Sequence, residues 1–126
     1  MARTRVLVVD DSATVRQQVG TALSQAGFEV VEAVDGVDGA SKINGDPGIA
    51  AVVCDVNMPN MNGIEMIESV KAKGAHPRLP FLMLTTEGVA ELKQRAKQAG
   101  AKAWIIKPFK ADVLVSAVQA LIKAAG

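Results

Sequence analysis

The sequence predicts an α/β domain built on an open parallel β-sheet with helices on both faces. Short apolar runs alternate with segments of helical periodicity along the 126 residues, which is typical of successive βα units. Hydrophobic residues make up 49% of the chain and charged residues 21%, so a packed core is expected rather than disorder. A chain of this length suits one domain. We therefore expect residues 1–126 to form a single domain with no further effector domain.

Five short apolar runs predict the strands of this sheet. The predicted strands are residues 5–9, 29–33, 51–54, 81–84 and 102–106. The second run is the most polar of the five, which suits a strand at the edge of the sheet.

Each predicted strand is followed by a helical pattern. In the first helix, Val15, Val19 and Leu23 recur at helical spacing, Ser12 can cap the start and Gly27 can stop the end. The apolar positions of the other four helices are Val37, Ala40 and Ile43; Ile64, Ile67 and Val70; Val89, Leu92 and Ala96; and Val113, Leu114, Ala117, Val118 and Leu121.

The composition of the chain argues against several classes of function. The net charge is +1, basic residues are scattered, Tyr is absent and Trp104 is the only Trp, so direct nucleic-acid binding is not expected. The single cysteine, Cys54, excludes an internal disulfide and suits a small buried hydrophobe. His76 precedes a proline in a predicted loop and is expected to be solvated. No signal peptide or membrane-spanning run is visible, so we expect a cytoplasmic protein without membrane insertion.

Polar side chains follow four of the predicted strands at the point where each strand ends. Asp10 and Asp11 follow the first strand, and Asp55 follows the third. Thr85 follows the fourth strand and Lys107 the fifth. Because ligands of open parallel sheets bind outside the carboxyl ends of the strands, these side chains are expected to form one acidic pocket with a single cation.

The residue types in this pocket predict magnesium-dependent phosphoryl chemistry. Three neighbouring carboxylates repel one another, and at least one would have a raised pKa unless a cation intervened. Mg²⁺ takes oxygen ligands and is usually bound through one or two carboxylates and a substrate phosphate. Asp55 then suits a carboxylate nucleophile. Thr85 and Lys107 suit the remaining phosphoryl oxygens.

Taken alone, each of these residues has a simpler interpretation. Asp10 and Asp11 could cap the first helix, and Thr85 could cap a later one. Asp55 could be a loop carboxylate, since turn-forming residues follow it. Lys107 could be an ordinary solvated lysine at the end of a strand. Their joint placement at four strand ends is what favours the phosphoryl site.

Four motifs in order, VVDDS, CDVNMPNMNGIE, MLTTE and WIIKPF, extend across the chain. With them the chain resembles bacterial two-component response regulator receiver domains, and among these the stand-alone chemotaxis type, from about residue 5 to residue 122. The resemblance implies a flavodoxin-like (βα)5 fold with strand order 2-1-3-4-5. It also implies a signalling switch and not a conventional enzyme, since such a domain catalyses only its own phosphorylation and dephosphorylation.

The resemblance assigns the metal and acceptor roles residue by residue. Asp55 matches the phosphoacceptor. Asp11 matches the direct Mg²⁺ ligand and Asp10 its water-mediated neighbour. Asn57 matches the position whose backbone carbonyl binds the metal. Asn57 and Glu87 also occupy the two positions that tune dephosphorylation in this family, although both could simply be solvated loop residues.

The resemblance also assigns the switch. Thr85 matches the hydroxyl that moves toward the phosphoryl group, and Lys107 matches the lysine that pairs with that group. The Lys107–Pro108 peptide is expected to be cis. Trp104 matches the switch aromatic, which is usually Tyr or Phe, so an ordinary half-buried Trp on an edge strand is an equal alternative. Thr86 follows the switch Thr at a position where the family often has a smaller residue. Its side chain could narrow access to the phosphoryl group.

The partners implied by the resemblance are proteins. A sensor histidine kinase is the expected phosphoryl donor. The expected output face runs from the fourth helix through the fifth strand and fifth helix, about residues 88–123. A flagellar motor switch is the expected target, and a phosphate sink or a shuttle in another pathway stays open. We expect a monomer.

Two other functions compete with this hypothesis. A small Mg²⁺-dependent phosphatase of the haloacid dehalogenase type also uses Asp, Thr and Lys, but its nucleophile lies in a DxD motif, which Asp10-Asp11-Ser12 lacks. A flavin-binding module on the same fold would need a Ser/Thr-rich loop after the first strand, where two aspartates would repel the flavin phosphate.

Overall fold

The computed structural model describes residues 3–74 and 76–125, and its centre is a five-stranded parallel sheet. The strands are β1 Arg5–Val9, β2 Glu29–Ala33, β3 Ile49–Cys54, β4 Phe81–Thr85 and β5 Ala101–Ile106. Their lateral order is β2-β1-β3-β4-β5, which confirms the flavodoxin-like order. The polar strand β2 lies at one edge, as predicted, and β5 lies at the other.

Five helices connect the strands and cover both faces of the sheet. They are α1 Ala13–Gln25, α2 Gly36–Gly45, α3 Gly63–Lys73, α4 Ala90–Ala99 and α5 Ala111–Ala125. The strands present alternate residues to two apolar clusters, one beneath α1 and α5 and one beneath α2, α3 and α4. In β1, for example, Val6 and Val8 belong to the first cluster, while Leu7 and Val9 belong to the second. Two-sided burial explains why the central strands read as continuous apolar runs.

Side-chain caps start three of the helices close to the carboxyl edge of the sheet. The Ser12 hydroxyl accepts from the Val15 N–H at 3.3 Å, and the Asp35 carboxylate accepts from the Asp38 N–H at 2.8 Å. Asn62 forms a capping box with Glu65, in which each side chain accepts from the other residue's backbone N–H. These caps satisfy N–H groups that the first helical turn leaves without partners, and they hold the adjoining loops in place.

One glycine is required by the loop that follows β3. A Cβ at position 63 would collide with the Asp55 carbonyl oxygen and would lie 3.0 Å from the Asp55 carbonyl carbon. The Gly63 N–H donates to the Val56 carbonyl at 3.0 Å, which closes the loop on itself. The first turn of α3 is therefore packed directly against the backbone that carries the Asp55 side chain.

Several sequence predictions differ from the structure in detail. β3 begins at Ile49, two residues before the predicted start, because an irregularity in the β1–β3 register lets Ile49 pair with Arg5. Val37 is 51% exposed, since the buried stripe of α2 runs through Gly36, Ala40 and Ile43 instead.

Two other apolar residues of the predicted helical patterns are also exposed. Val89 is the N-cap residue of α4 rather than part of its buried face, and Val113 is exposed beside the buried Leu114. The expectation that His76 is solvated is wrong. Its ring is half-buried, with Nε2 2.9 Å from the Ile43 carbonyl oxygen. Within residues 3–74 and 76–125, no helix has the length and apolar character needed to cross a membrane.

Candidate functional site

Three carboxylates meet at the carboxyl edge of the sheet. β1 and β3 are neighbours, and the Asp55 N–H donates to the Val9 carbonyl at 3.1 Å, so the ladder continues to the end of β3. This pairing places Asp55 beside Asp10 and Asp11. One carboxylate oxygen from each residue lies within 4.8 Å of the other two. Asp10 and Asp55 are buried and Asp11 is exposed.

Asp10 is the most enclosed of the three, with 2% of its surface exposed. Its Oδ1 accepts from the Ser12 N–H at 2.9 Å, which fixes the carboxylate at the start of α1. The Arg16 guanidinium donates to the Asp10 carbonyl at 2.6 Å and also pairs with Glu32 on β2 at 3.1 Å. The strand tip is therefore held from the helix side and from the edge strand. Arg16 was missed in the sequence, because one arginine in a helix gives no signal of such a contact.

Lys107 connects the end of β5 to the acidic group. Its Nζ lies 2.9 Å from Asp10 Oδ2 and 3.0 Å from Asp55 Oδ2, and its side chain is 15% exposed. Its backbone N–H donates to the Thr85 carbonyl at 2.9 Å, and the Lys107–Pro108 peptide is cis. One ammonium group thus joins carboxylates that are 97 and 52 residues away in the sequence.

Asp55 is held in a defined orientation at the base of the pocket. One of its carboxylate oxygens, Oδ1, accepts from the Val56 N–H at 2.7 Å. The other, Oδ2, accepts from Lys107, and 11% of the side chain is exposed. The carboxylate is therefore oriented by the backbone on one side and by a cation on the other, while part of it remains accessible.

The charges in the pocket do not balance. Burial raises the pKa of Asp10 above its ordinary value, even though the hydrogen bonds from Lys107 and Ser12 act in the opposite direction. Burial also disfavours the charged form of Lys107, but its hydrogen bonds to Asp10 and Asp55 outweigh that effect and raise its pKa. Lys107 is therefore cationic at neutral pH, and among the described residues it is the one cation within salt-bridge distance of these carboxylates.

The donor set fits a small divalent cation. The ligand atoms are hard carboxylate oxygens, which Mg²⁺ and similar ions prefer. Asp10 and Asp55 are already oriented by other hydrogen bonds. In the part of the chain that the structure describes, no protein donor contacts the Asp11 carboxylate, so its exposed oxygens are available to an ion. A divalent cation would also balance the excess of negative charge.

A second group of side chains lies beside the pocket. The Thr85 side chain is fully buried at the end of β4, and its hydroxyl accepts from the Glu87 N–H at 3.2 Å. The exposed Asn57 donates its amide to the Glu87 carboxylate at 3.1 Å. The half-buried Trp104 on β5 donates its indole N–H to the Glu87 carbonyl at 3.0 Å. Glu87 therefore joins the loop after β3, the end of β4 and the aromatic residue on β5.

This connection could not be found in the sequence. Asn57 and Glu87 are 30 residues apart, and Glu87 and Trp104 are 17 apart, so no periodic pattern relates them. The resemblance named all three residues separately but did not predict their mutual contacts. The two sequence interpretations of Trp104 are compatible in the structure, because the ring lies half-buried on an edge strand and also reaches the loop after β4.

A groove of about 770 Å³ opens next to Lys107, between α1 and the start of α5. Val15, Gln18 and Thr21 of α1 form one wall, and Pro108 and Phe109 form the other. The exposed Thr86 also lines this groove.

The fold and the acidic edge of the sheet define a class of signalling domain. The chain belongs to the response regulator receiver domain family, whose model matches residues 6–119. The resemblance seen in the sequence motifs is thus confirmed.

Several individual relatives are chemotaxis proteins. The chemotaxis protein CheY1 of Helicobacter pylori is 35% identical over 119 residues, which cover 94% of this chain and 96% of the relative. The solved structure of the chemotaxis protein CheY4 of Vibrio cholerae is 39% identical with a TM-score of 0.88, covering 95% of this chain and 99% of that one. The CheX–CheY–BeF3–Mg²⁺ complex of Borrelia burgdorferi matches with a TM-score of 0.86 and 27% identity, covering 93% of this chain and 87% of that one.

Family membership makes the chain a phospho-accepting switch of two-component signalling, related to the chemotaxis regulators. It supports this function over a phosphatase of the haloacid dehalogenase type. Receiver domains bind Mg²⁺ in an acidic pocket, and those of the chemotaxis type interact with kinases and downstream targets. Here the acidic pocket is the cluster of Asp10, Asp11 and Asp55.

Proposed function

We propose that Asp55 accepts the phosphoryl group from a sensor histidine kinase and that the modified domain binds a protein target. The observation that carries this proposal is the position of the Asp55 carboxylate. It lies within reach of two further aspartates and of Lys107, at the edge of the sheet where four strand ends meet. Asp10 and Asp55 are both buried and oriented by a backbone N–H, but 11% of the Asp55 side chain is exposed against 3% of the Asp10 side chain, so Asp55 is the more accessible nucleophile.

Asp10, Asp11, Asp55 and the backbone carbonyl of Asn57 would hold the metal ion. When bound, Mg²⁺ would neutralise the carboxylates and the phosphoryl oxygens, so that an anionic donor can approach. Asp11 is the best direct ligand because its exposed carboxylate has no competing protein donor among the described residues. Asp10 is held by Ser12 and Lys107, which suits a ligand that acts through a water molecule.

The chain's own residues position the reacting groups. An Asp55 carboxylate oxygen forms the new bond to phosphorus, while the bond from phosphorus to the kinase imidazole breaks and the imidazole leaves. The Lys107 ammonium is close enough to Asp55 to form an ion pair with the phosphoryl oxygens once the group is attached there. The groove beside Lys107 offers the kinase domain an apolar surface next to the acceptor. In this sense the domain catalyses its own phosphorylation and, with water as the acceptor, its own dephosphorylation.

The switch depends on the contacts of Glu87. Phosphorylation adds about 1.5 to 2 negative charges, which would attract the Thr85 hydroxyl and Lys107. The Thr85 hydroxyl accepts from the Glu87 N–H, so its movement requires the loop after β4 to change. Trp104 is hydrogen-bonded to the same loop and would change with it. We propose that this shifts the surface of α4, β5 and α5 toward a form that the partner prefers.

The same contacts bear on the lifetime of the phosphoryl group. Asn57 and Glu87 are hydrogen-bonded to each other at the mouth of the pocket, so they are placed to control the approach of water. We propose that they tune dephosphorylation. The chemotaxis relatives favour a flagellar motor switch as the target, with a phosphate sink or a non-flagellar shuttle as alternatives.

Phosphoryl transfer to variants tests this function. A small acyl phosphate donor with Mg²⁺ should add one phosphoryl group to the protein, detected by intact mass. Asp55→Asn should abolish the addition, whereas Asp38→Asn, a carboxylate on α2 outside the cluster, should leave it unchanged. Labelling that persists in Asp55→Asn would overturn the assignment. A pull-down with and without beryllofluoride and Mg²⁺ then tests whether a target prefers the activated form.

A further inference from the structure

A second cavity lies at the opposite, amino-terminal end of the sheet. It has a volume of about 670 Å³ and lies between the loop that precedes β4, the start of β5 and the last turn of α5. A volume of this size falls within the range of small-molecule sites. No step of the phosphoryl transfer described above uses this cavity, although Lys102 on β5 and Leu121 on α5 belong to the elements of the proposed output surface.

Three cations line the cavity, and no acidic side chain among residues 3–74 and 76–125 does. Lys71, Arg78 and Lys102 contribute to its walls. Within residues 3–74 and 76–125, none of the three has a carboxylate within salt-bridge distance. This concentration of positive charge contrasts with a net charge of only +1 for the whole chain.

Lys71 is partly enclosed in this cluster. Its ammonium lies 3.4 Å from the Pro77 carbonyl and 3.5 Å from the Leu79 carbonyl, both long contacts, and 5.7 Å from the centre of the Phe81 ring. Burial lowers the pKa of Lys71, and the charge of Lys102 lowers it further. The two ammonium groups therefore disfavour each other, and an anion between them would relieve that repulsion.

Helix dipoles do not account for all of this charge. The carboxyl ends of α3, α4 and α5 lie at this end of the sheet, and a cation in the last turn of a helix is stabilising. Lys71 and Lys73 occupy the last turn of α3, Lys97 that of α4 and Lys123 that of α5, so the dipole of α3 accounts for Lys71. Arg78 lies in a loop and Lys102 on β5, so neither belongs to a helix end.

The rest of the wall is apolar. Leu79, Pro80 and Leu121 line the cavity together with small alanine side chains. A bare phosphate ion would fill little of this volume and would leave the apolar surface without a partner. The walls therefore suit a ligand with an anionic group at one end and a flat or apolar body at the other.

We propose that this cavity binds a small organic phosphate, with its phosphate between Lys71, Arg78 and Lys102 and its apolar body against Leu79 and Leu121. Charge-assisted contacts from the three cations hold the phosphate. Because the cavity is at the far end of the sheet from Asp55, the ligand would bind without competing for the acidic pocket.

A nuclear magnetic resonance titration with AMP tests the proposal. At constant ionic strength, AMP should cause saturable amide shifts around Lys71, Lys102 and Leu121, with a Kd of about 1 mM or tighter. Adenosine and inorganic phosphate should each bind at least about tenfold more weakly. Arg78→Gln and Lys102→Gln should each weaken AMP binding about tenfold, since each removes one charge-assisted contact.

Lys73→Gln is the matched control, because it removes an exposed cation from the same helix as Lys71 without touching the cavity. It should change the Kd by less than about twofold, with circular dichroism confirming that every variant is folded. The proposal is overturned if AMP gives no saturable shifts, or if the shifts occur only at the acidic end of the sheet. It is also overturned if adenosine or inorganic phosphate binds as well as AMP, or if Lys73→Gln weakens binding as much as Lys102→Gln.

Discussion

Replacing Lys107 by methionine should destabilise the protein far more than the same change at an exposed lysine. The Lys107 ammonium lies 2.9 Å from Asp10 and 3.0 Å from Asp55. The side chains of the two aspartates are 3% and 11% exposed, so water cannot replace the lost cation effectively. Methionine keeps a similar chain length and fills the same space, so the change isolates the loss of charge.

The size of the effect follows from the two carboxylates. Removing one partner of a buried ion pair costs about 3–5 kcal/mol. The stranded carboxylate can also take up a proton, and neutralising a group with an ordinary pKa near 4 at pH 7 costs about 4 kcal/mol, which sets a ceiling on the loss. We expect a loss of about 3 kcal/mol, or about 10 °C in Tm for a domain of this size. Asp10 should carry most of it, because its side chain is the more buried of the two and water can replace the lost ammonium least well there.

Urea unfolding at pH 7 measures this loss. Lys110→Met is the matched control, since Lys110 is exposed, lies three residues further along and has no ion pair among the described residues. It should change the free energy of unfolding by less than about 0.5 kcal/mol. Adding Mg²⁺ should stabilise Lys107→Met more than the wild type, because the ion then meets three carboxylates without a competing ammonium. Equal stability of the two variants, or an equal response to Mg²⁺, would refute the reasoning.

Three further predictions concern other parts of the molecule. Gly63→Ala should cost about 3 kcal/mol by forcing a Cβ against the Asp55 backbone, whereas Gly45→Ala, with open space around it, should be neutral or slightly stabilising in thermal unfolding. A hydrogen bond from the Gly48 N–H lowers the pKa of Asp46, with the ion pair to Arg5 adding to it. The stability that ionised Asp46 contributes is present above the pKa of Asp46 in the unfolded chain, and it is lost as the pH falls through the pKa of Asp46 in the folded protein. Asp46→Asn should therefore make the free energy of unfolding fall less steeply as the pH decreases below about 4. An unchanged pH dependence would exclude this contribution. Trp104 emission should change when Mg²⁺ and beryllofluoride are added together, because its indole is bonded to the loop after β4; a flat titration would contradict coupling between pocket and output face.

Much of the fold follows from the apolar pattern. All five strands and all five helices lie close to where the runs and periodicities predict them, because each strand is buried on one or both faces and four of the five helices have a side-chain cap or a terminal glycine. The errors occur where the local pattern is ambiguous. Val37 fits a helical stripe as well as Gly36 does, and only the close packing of Gly36 against Met61 decides which residue faces the core. The early start of β3 depends on a register irregularity with β1, which no local pattern records.

The acidic group was predictable for a similar reason, since strand ends of a parallel sheet share one edge and the residue types there are unusual. The contacts among Asn57, Glu87 and Trp104 were not predictable. They depend on how two loops and an edge strand approach one another, and polar loop residues carry no periodicity. The contact of Arg16 with the Asp10 carbonyl is equally invisible in the sequence.

Borohydride trapping of the phosphorylated protein, followed by peptide mass spectrometry, tests the central claim most directly, because it reduces an aspartyl phosphate to homoserine and so identifies the modified residue. With an acyl phosphate donor and Mg²⁺, homoserine should appear at position 55, and it should be absent when the metal is removed by a chelator. Homoserine at position 10 or 11, or metal-independent modification of any carboxylate, would contradict the assignment of this strand end as the metal-dependent acceptor.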